Sequence, residues 1–265
     1  AGLLLAPAIK AQTPAWDRSA YVAAMAASGR PTEISEGAFA AIQARRQPTL
    51  ARMEAYLKSR FGEADPAVLR GFAELPREYF HYNYEARQAS PSNAYETEAK
   101  PWALGFGSAL SDYLGQAYMT QACQPKPDHV VLEIGTGTGF ITACLASLCR
   151  SLVTVDLHAD FIANAKNRLA ALDLNNVRYE QADALAFNPD QQFDAIAVTG
   201  AVTDVPQVFL DWLRPGGRLF IIHGQSPAQE AVCLTRSTQG FDTESLFETD
   251  IPYLVGAQPV DRFSL

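Results

Sequence analysis

The segment that most constrains the fold is residues 131–140, in which every second residue from 135 to 139 is glycine. Val131 and Leu132 are apolar and predict a buried strand, and residues 141–148 have a helical pattern. The glycines lie between them, at Gly135, Gly137 and Gly139. A backbone without Cβ atoms can turn sharply and approach a ligand closely. The segment therefore predicts a strand that turns into a helix, with free N–H groups of the first helical turn facing a bound molecule.

Short apolar segments alternate with helical patterns from residue 129 onward. Strands are predicted at residues 130–134, 152–155, 177–181, 193–199, 218–222, 231–236 and 243–247. Helices are predicted at residues 141–149, 159–172 and 205–213, with a turn at 215–217. This alternation predicts an α/β fold, in which a largely parallel sheet has helices on both faces. Ligands of such sheets bind at the carboxyl ends of the strands.

The first half of the chain has a different pattern. Residues 13–80 predict helices at 19–28, 35–46 and 49–61, and a further helix capped by Asp65 with Pro66 at its first position. Residues 81–107 are rich in Tyr, Asn, Ser and Pro and predict an irregular surface stretch, and a helix follows at 111–123. We therefore divide the chain into an apolar leader at 1–12, a helical cap at 13–128 and an α/β domain at 129–265.

The leader is similar to the end of an export signal, with a possible cleavage point after Ala11. A short apolar helix packed on the protein is the alternative. The leader is too short to span a bilayer, which takes about twenty apolar residues. We expect a cytoplasmic protein, with export or membrane association through residues 1–12 as the alternative.

Charge and cysteine usage exclude several classes of partner. The net charge is −8 and the longest basic run is Arg45-Arg46, so we expect no nucleic-acid partner. The four cysteines show no metal-ligand spacing, and we expect no metal. They are interpreted as core residues, with a disulfide, for example between Cys123 and Cys149, plausible only in an exported protein.

Two acidic residues follow predicted strands. Asp156 lies 21 positions after Gly135 (156 − 135) and is placed to bind both ribose hydroxyls of a nucleotide. The alternative is a helix cap, for which Asp160 is better placed. Asp183 follows the strand at 177–181 and is a second candidate, with a loop turn as its alternative. Thr199 and Gly200 end the strand at 193–199, where small side chains suit either substrate entry or a turn.

Together these segments resemble the class I S-adenosylmethionine (SAM) methyltransferases, whose cofactor loop reads E-x-G-x-G-x-G. The resemblance implies that SAM is the cofactor, that the loop holds its methionine part, and that Asp183 accepts the adenine amino group. The cofactor residues so implied are Glu133, Gly135, Thr136, Gly137, Thr138, Gly139, Asp156, Leu157, Asp183, Ala184, Thr199 and Gln116.

A finer resemblance is to the protein-L-isoaspartate O-methyltransferase family, over roughly residues 50–257. The segments that carry it are 131–141, 193–206, 251–256 (Ile-Pro-Tyr-Leu-Val-Gly) and 68–80, which ends in Leu-Pro-Arg-Glu-Tyr-Phe. The family's catalytic segment reads Gly-Gln-Thr-Ile-Ser-Gln-Pro-Tyr-Met. We align it with residues 111–119, which places Gly115 at the family's serine and leaves Ser108 or Ser111 as possible substitutes.

Because of Gly115 we expect an acceptor other than isoaspartate, either a small molecule or a modified peptide. A carboxylate acceptor needs no general base, since it is ionised near pH 7, whereas a hydroxyl or carbon acceptor needs one. The catalytic residue is left open. Candidate bases are Tyr113, Tyr118, His223 and Tyr253, each with packing as the alternative; His81 is interpreted as a residue of the cap.

Two other functions are weighed. The fold could survive as a non-catalytic SAM-binding or partner-binding module, which Gly115 and the leader favour slightly. An NAD-dependent oxidoreductase would also suit Asp156, but its fingerprint reads G-x-G-x-x-G, and the glycine spacing here differs. The oligomeric state is left open.

Overall fold

A computed structural model describes residues 15–259. The helices are α1 (Arg18–Ala27), α2 (Glu36–Gln43), α3 (Arg46–Phe61), α4 (Pro66–Glu74), α5 (Tyr113–Cys123), α6 (Phe140–Leu148), α7 (Ala159–Ala171) and α8 (Gln207–Asp211). The strands are β1 (Tyr82–Asn83), β2 (Gln88–Ala89), β3 (Trp102–Gly105), β4 (Ser108–Leu110), β5 (Val130–Ile134), β6 (Ser151–Asp156), β7 (Val177–Gln181), β8 (Phe193–Val202), β9 (Leu213–Gln225), β10 (Ala228–Ser237) and β11 (Gly240–Thr249).

A seven-stranded sheet forms the centre of the molecule, in the order β11-β10-β9-β8-β5-β6-β7. The strands from β9 to β7 in this order run parallel, and β10 and β11 are antiparallel additions at one edge. Val131 and Leu132 are both fully buried, on opposite faces of β5, and belong to separate hydrophobic clusters. The apolar runs of the sequence therefore reflect burial on both faces, and the predicted α/β architecture with N-terminal helices is confirmed.

Two predictions near the end of the sheet are wrong in detail. The helix expected at 205–213 is only Gln207–Asp211. Residues 215–217, expected as a turn, lie within β9, which begins at Leu213. The reason is that Leu213 pairs with Phe193 of β8, and an irregularity in register then accommodates the Pro-Gly-Gly segment without ending the strand.

The expectation of an irregular surface stretch at 81–107 is also wrong. This segment and the three residues after it form two small antiparallel hairpins, β1–β2 and β3–β4. Its side chains Tyr82, Tyr84, Tyr95 and Leu104 are buried. The tyrosines contribute their rings to the core, and the ring of Tyr84 lies 4.7 Å from that of Phe161 on α7.

A buried carboxylate ties the N-terminal helices together. Glu78 is fully buried and lies in a 3-10 turn at Arg77–Phe80. Its Oε1 accepts hydrogen bonds from the Trp16 indole at 2.8 Å and the Gln43 amide at 2.6 Å. Its Oε2 accepts one from the Tyr95 hydroxyl. Three segments distant in sequence therefore meet at one side chain.

A buried guanidinium connects this region to the sheet domain. Arg168 of α7 is fully buried, and its Nη1 donates to the backbone carbonyl of Tyr79. The guanidinium also lies 4.9 Å from the centre of the Tyr79 ring, a cation–π distance. Helix α5 makes a second connection, because the Arg218 side chain of β9 donates to the carbonyl of Ala122 at 2.9 Å. The boundary predicted at residue 128 falls between α5 and β5 and stays a prediction.

The predicted leader at 1–12 lies outside the described residues. Within residues 15–259, none of the helices combines the length and the apolar character needed to cross a membrane. The four cysteines are all buried thiols, as their interpretation as core residues predicts. The bond considered between Cys123 and Cys149 is not formed.

Candidate functional site

A cavity of about 250 Å³ opens at the carboxyl ends of β5, β6 and β8. Ten of the twelve predicted cofactor residues line it: Gln116, Glu133, Gly135, Thr136, Gly137, Asp156, Leu157, Asp183, Ala184 and Thr199. Thr138 and Gly139 do not line it; Thr138 is fully buried, and Gly139 precedes α6 as its N-cap residue. The topology therefore gathers most of the predicted residues at one edge of the sheet.

The glycine loop has a conformation that side chains would prevent. The φ angles of Gly135 and Gly137 are +95° and +54°, in the left-handed region. A Cβ atom on Gly135 would lie 2.0 Å from Thr199 Oγ1. That hydroxyl lies 2.8 Å from the Ile134 carbonyl oxygen and 2.9 Å from that of Gly135, within hydrogen-bond distance of both. Thr199 thus holds the loop in place from the end of β8.

Glu133 lies fully buried at the base of the cavity. Its Oε1 accepts hydrogen bonds from the Thr142 hydroxyl and, at 2.7 Å, from the Thr154 hydroxyl. Its Oε2 has no partner among the described residues. Burial raises the pKa of Glu133 to about 8. A buried acid with one unused oxygen suits a ligand that brings a hydrogen-bond donor or a positive charge.

The raised pKa makes a testable contribution to stability. The ordinary pKa of the Glu133 carboxyl is 4.5, so between about pH 5 and 8 the folded protein keeps a proton that the unfolded chain releases. We therefore expect this residue to lower the unfolding free energy of the ligand-free protein as pH rises, by up to about 1.4 kcal/mol per pH unit. Glu133→Gln cannot titrate and should remove that slope. Urea denaturation of both proteins at pH 5.5, 6.5 and 7.5 measures it, and parallel pH dependences would contradict the assignment.

Asp156 ends β6 and links two loops. Its Oδ1 accepts the His158 backbone N–H at 2.9 Å, and its Oδ2 accepts that of Gly137 at 3.1 Å. Burial raises the pKa of Asp156. Helix α7 has His158 at its N-cap and Asp160 in its first turn, so the expectation that Asp160 caps the helix is wrong. Each Asp156 oxygen keeps a lone pair for a ligand hydroxyl.

Asp183 lies beyond the end of β7, in a turn. Its Oδ1 accepts the Leu185 N–H at 2.9 Å, so the turn interpretation and a ligand role are compatible. The side chain of Leu157 projects at the cavity mouth and is 42% exposed. An exposed apolar side chain in the same cavity lining as Asp156 and Asp183 suits the face of a flat ring whose edges carry polar groups.

The candidate bases lie elsewhere or are already bonded. Tyr113, Tyr118 and His223 are outside the cavity lining. The Tyr113 hydroxyl bonds to Arg52 and the Glu96 carbonyl, the Tyr118 ring packs on Phe61 and Phe247, and His223 lies 3.9 Å from Glu230. Tyr253 lines the cavity, but its hydroxyl donates to the Gly224 carbonyl at 2.7 Å. His81 is buried beside Trp102, and burial holds its pKa well below the usual value.

Two serines are among the residues that line the cavity. Ser108 lies on β4, and Ser111 lies between β4 and α5. Gly115 is in the first turns of α5, where its N–H donates to Asp112 Oδ1 at 2.8 Å. Aligning Gly107-Ser-Ala-Leu-Ser111 with Gly-Gln-Thr-Ile-Ser keeps the motif's spacing and places Ser111, not Gly115, at the serine. Gly107 is the sequence signal that would have found this alignment.

A buried arginine lies behind these serines. Arg77 donates through Nη1 to Gln116 Oε1 and through Nη2 to the Ser111 carbonyl at 3.2 Å. Its guanidinium stands 4.7 Å from the centre of the Phe140 ring, at the start of α6. Burial lowers the pKa of Arg77 to about 10, so the side chain stays charged at neutral pH.

Comparison with known proteins gives a consistent result. A family model described as Protein-L-isoaspartate(D-aspartate) O-methyltransferase matches residues 51–250. A protein-L-isoaspartate O-methyltransferase of Bradyrhizobium sp. strain BTAi1 is 37% identical over 191 residues, covering 71% of this chain and 86% of the relative. One from Dinoroseobacter shibae is 37% identical over 206 residues, and the match covers 77% of this chain and 92% of that relative.

Solved structures agree on the fold. A putative protein-L-isoaspartate O-methyltransferase from Plasmodium falciparum, in complex with S-adenosyl-L-homocysteine, superposes with a TM-score of 0.64 at 18% identity. The match covers 78% of this chain and 97% of that one. A second protein-L-isoaspartate O-methyltransferase gives a TM-score of 0.66 at 21% identity. This match covers 78% of this chain and 65% of that one.

Proposed function

The chain belongs to the protein-L-isoaspartate O-methyltransferase family, and we propose that it transfers the methyl group of SAM to the side-chain carboxylate of isoaspartyl residues in peptides or proteins. It is a SAM-dependent methyltransferase, as its family is. The alternative of an NAD-dependent oxidoreductase is thereby set aside. The assignment of the acceptor rests on the activity named for the relatives and on the residues that line the cavity.

The residues at the strand ends suit SAM. The unused oxygen of Glu133, in the same cavity lining as Gly135 and Gly137 of the loop, fits the ammonium of the methionine part. Asp156 retains lone pairs for the ribose hydroxyls, and Asp183 with Leu157 fits the adenine edge and face. Bound SAM supplies an activated methyl group on its sulfonium. Thr138 and Gly139 do not line the cavity, and in this proposal they only support the loop.

The acceptor half supports a carboxylate substrate. An ionised carboxylate attacks the methyl carbon without a general base, so an active site of this kind needs positioning and exclusion of water. This fits the candidate bases, because Tyr113, Tyr118 and His223 lie outside the cavity lining and the Tyr253 hydroxyl is bonded to a backbone carbonyl. The expectation of a different acceptor depended on Gly115 at the serine position; with Ser111 lining the cavity, that reason no longer applies.

The chain's own residues have a simple task in this mechanism. Ser108 and Ser111 offer hydroxyl donors that orient the acceptor carboxylate, and Met119 and Phe247 contribute apolar lining that excludes water. Orientation of two reacting groups can supply on the order of 7–11 kcal/mol of the barrier. The carboxylate oxygen forms a bond to the methyl carbon as the sulfur–carbon bond breaks, and the sulfur keeps the electron pair as a neutral thioether.

We expect the wild-type protein to methylate an isoaspartyl peptide and not the same peptide with ordinary aspartate. Ser111→Ala should lower kcat/KM about 10- to 100-fold, the effect of losing one hydrogen bond to a charged group. The dissociation constant for S-adenosylhomocysteine should change less than twofold. Labelled methyl transfer and calorimetry measure the two quantities, with Ser92→Ala on the exposed surface as the matched control. Cofactor binding without transfer to the isoaspartyl peptide would contradict the proposed acceptor.

A further inference from the structure

The buried side chain of Gln229, on β10, holds both backbone groups of a residue outside the sheet. Its Oε1 accepts the Ile251 N–H at 2.7 Å, and its Nε2 donates to the Ile251 carbonyl at 3.2 Å. The side chain is fully buried. A single amide, which offers both an acceptor and a donor, therefore takes the place of a strand partner for Ile251.

Ile251 needs this partner because the sheet ends before it. Strand β11 ends at Thr249, which pairs with Gln229 itself. Continuing the same register would place Ile251 opposite Pro227, which lies outside β10 and has no N–H. Backbone groups left unpaired inside a protein are unfavourable, and Gln229 satisfies them at the point where the chain leaves the sheet.

The segment that Gln229 holds is a wall of the cavity. Residues 249–255 all line the cavity, whereas Gln229 does not. Further along this segment, the Pro252 carbonyl accepts the Ala201 N–H at 3.0 Å, and the Leu254 N–H donates to the Ala201 carbonyl at 2.8 Å. Gln229 thus fixes one end of the segment, and the end of β8 fixes the other.

The 249–255 segment is separate from the residues proposed to bind SAM. Those residues lie in the glycine loop, after β6 and β7, at the end of β8 and on α5, and none belongs to this segment. With SAM bound at the strand ends, the walls left for the acceptor include residues 249–255. A displacement of this segment should therefore disturb the fit of the acceptor more than that of the cofactor.

We propose that Gln229 is a positioning residue for the acceptor, which acts through Ile251 by fixing where the 249–255 segment stands in the cavity. The inference rests on the proposed function, because it takes an isoaspartyl peptide as the acceptor. A peptide brings its main chain and neighbouring side chains as well as the reacting carboxylate. Its binding therefore depends on the shape of a wall, and not only on the serine hydroxyls.

The first test is Gln229→Leu, which keeps a side chain of similar size and removes both hydrogen bonds to Ile251. We expect the KM for an isoaspartyl peptide to rise tenfold or more, while kcat changes less than threefold. The dissociation constant for S-adenosylhomocysteine should stay within twofold of wild type. Steady-state methylation and calorimetry measure these quantities, at a temperature where circular dichroism shows the variant to be folded.

A second variant serves if the leucine substitution prevents folding. Gln229→Asn keeps a polar amide beside the two backbone groups but is one methylene shorter. It cannot form both bonds with Ile251 in its present position. We expect a rise of at least fivefold in the peptide KM, again with unchanged binding of S-adenosylhomocysteine.

The matched control is Asn176→Leu. The Asn176 amide also bonds to backbone groups, the carbonyls of Ala146 at 2.9 Å and Cys149 at 3.3 Å. It lies just before β7, at the end of the strands away from the cavity, and does not line it. Its loss should lower the melting temperature and leave the peptide KM within twofold of wild type.

Three results overturn the inference. A peptide KM within twofold of wild type in the folded Gln229 variants shows that this side chain does not position the acceptor. An equal weakening of S-adenosylhomocysteine shows that it supports the whole cavity, and an equal rise in KM for Asn176→Leu shows a general effect of lost stability. Failure of the proposed function is recognised separately, because the wild-type protein itself would then not methylate the isoaspartyl peptide, and this inference would fail with it.

Discussion

Gly135→Ala is expected to abolish cofactor binding and to lower the stability of the protein. The new Cβ would lie 2.0 Å from Thr199 Oγ1, in a residue whose φ is +95°. The backbone conformation alone costs about 1–3 kcal/mol for a residue with a side chain, and the clash displaces the loop that Thr199 holds. We expect a weakening of S-adenosylhomocysteine binding by more than a hundredfold in calorimetry, and a clearly lower midpoint in urea.

Two variants make this prediction specific. Gly37→Ala, in helix α2, adds the same methyl group where there is open space and should be neutral or slightly stabilising. Gly135→Ala combined with Thr199→Ala removes the clash but keeps the backbone strain, so it should recover part of the stability. Near-normal affinity in Gly135→Ala would show that the loop does not carry the cofactor.

Glu78→Ala is expected to lower the unfolding free energy by about 3–5 kcal/mol. The substitution leaves the Trp16, Gln43 and Tyr95 donors without their common acceptor in the protein interior. Each buried donor left without an acceptor costs about 1–3 kcal/mol, and the substitution leaves three donors, two of which are only partly buried. Chemical denaturation followed by tryptophan fluorescence measures it.

The control for this prediction is Glu33→Ala, which removes an exposed carboxylate outside any helix and should change stability by less than about 0.5 kcal/mol. A loss below about 1 kcal/mol in Glu78→Ala would mean that the N-terminal helices are held by their apolar contacts alone.

The sheet, and the edge of it where cofactor binding is proposed, were predictable because their sequence patterns are local. Ten consecutive residues, 131–140, predict the turn from β5 into α6. Asp156 ends a strand whose apolar residues are consecutive in the sequence. The parallel topology then brings such strand ends together. The family assignment follows from the same segments and is confirmed by the comparisons.

The walls of the cavity were not predictable in the same way. Tyr113 and Tyr118 were candidate bases because they lie close in sequence to the motif, yet α5 turns both away from the cavity. Tyr84, in residues 81–107, reads as a surface residue because it packs against Phe161, some eighty positions away. The alignment of Gly115 with the serine rests on Gln116, Tyr118 and Met119, which match the end of the family's motif, whereas Gly107 and Ser111 match its beginning.

Two kinds of chain segment line the cavity, and they differ in how well they would tolerate substitutions. The strand ends from Glu133 to Thr199 are bound into the sheet, and altering them disturbs the core. The other walls come from the β3–β4 hairpin and from residues 249–255, at the end of β11 and after it, which include the half-exposed Val255. Substitutions in those peripheral segments could therefore change the acceptor while the strand ends, where binding of the nucleoside is proposed, stay the same.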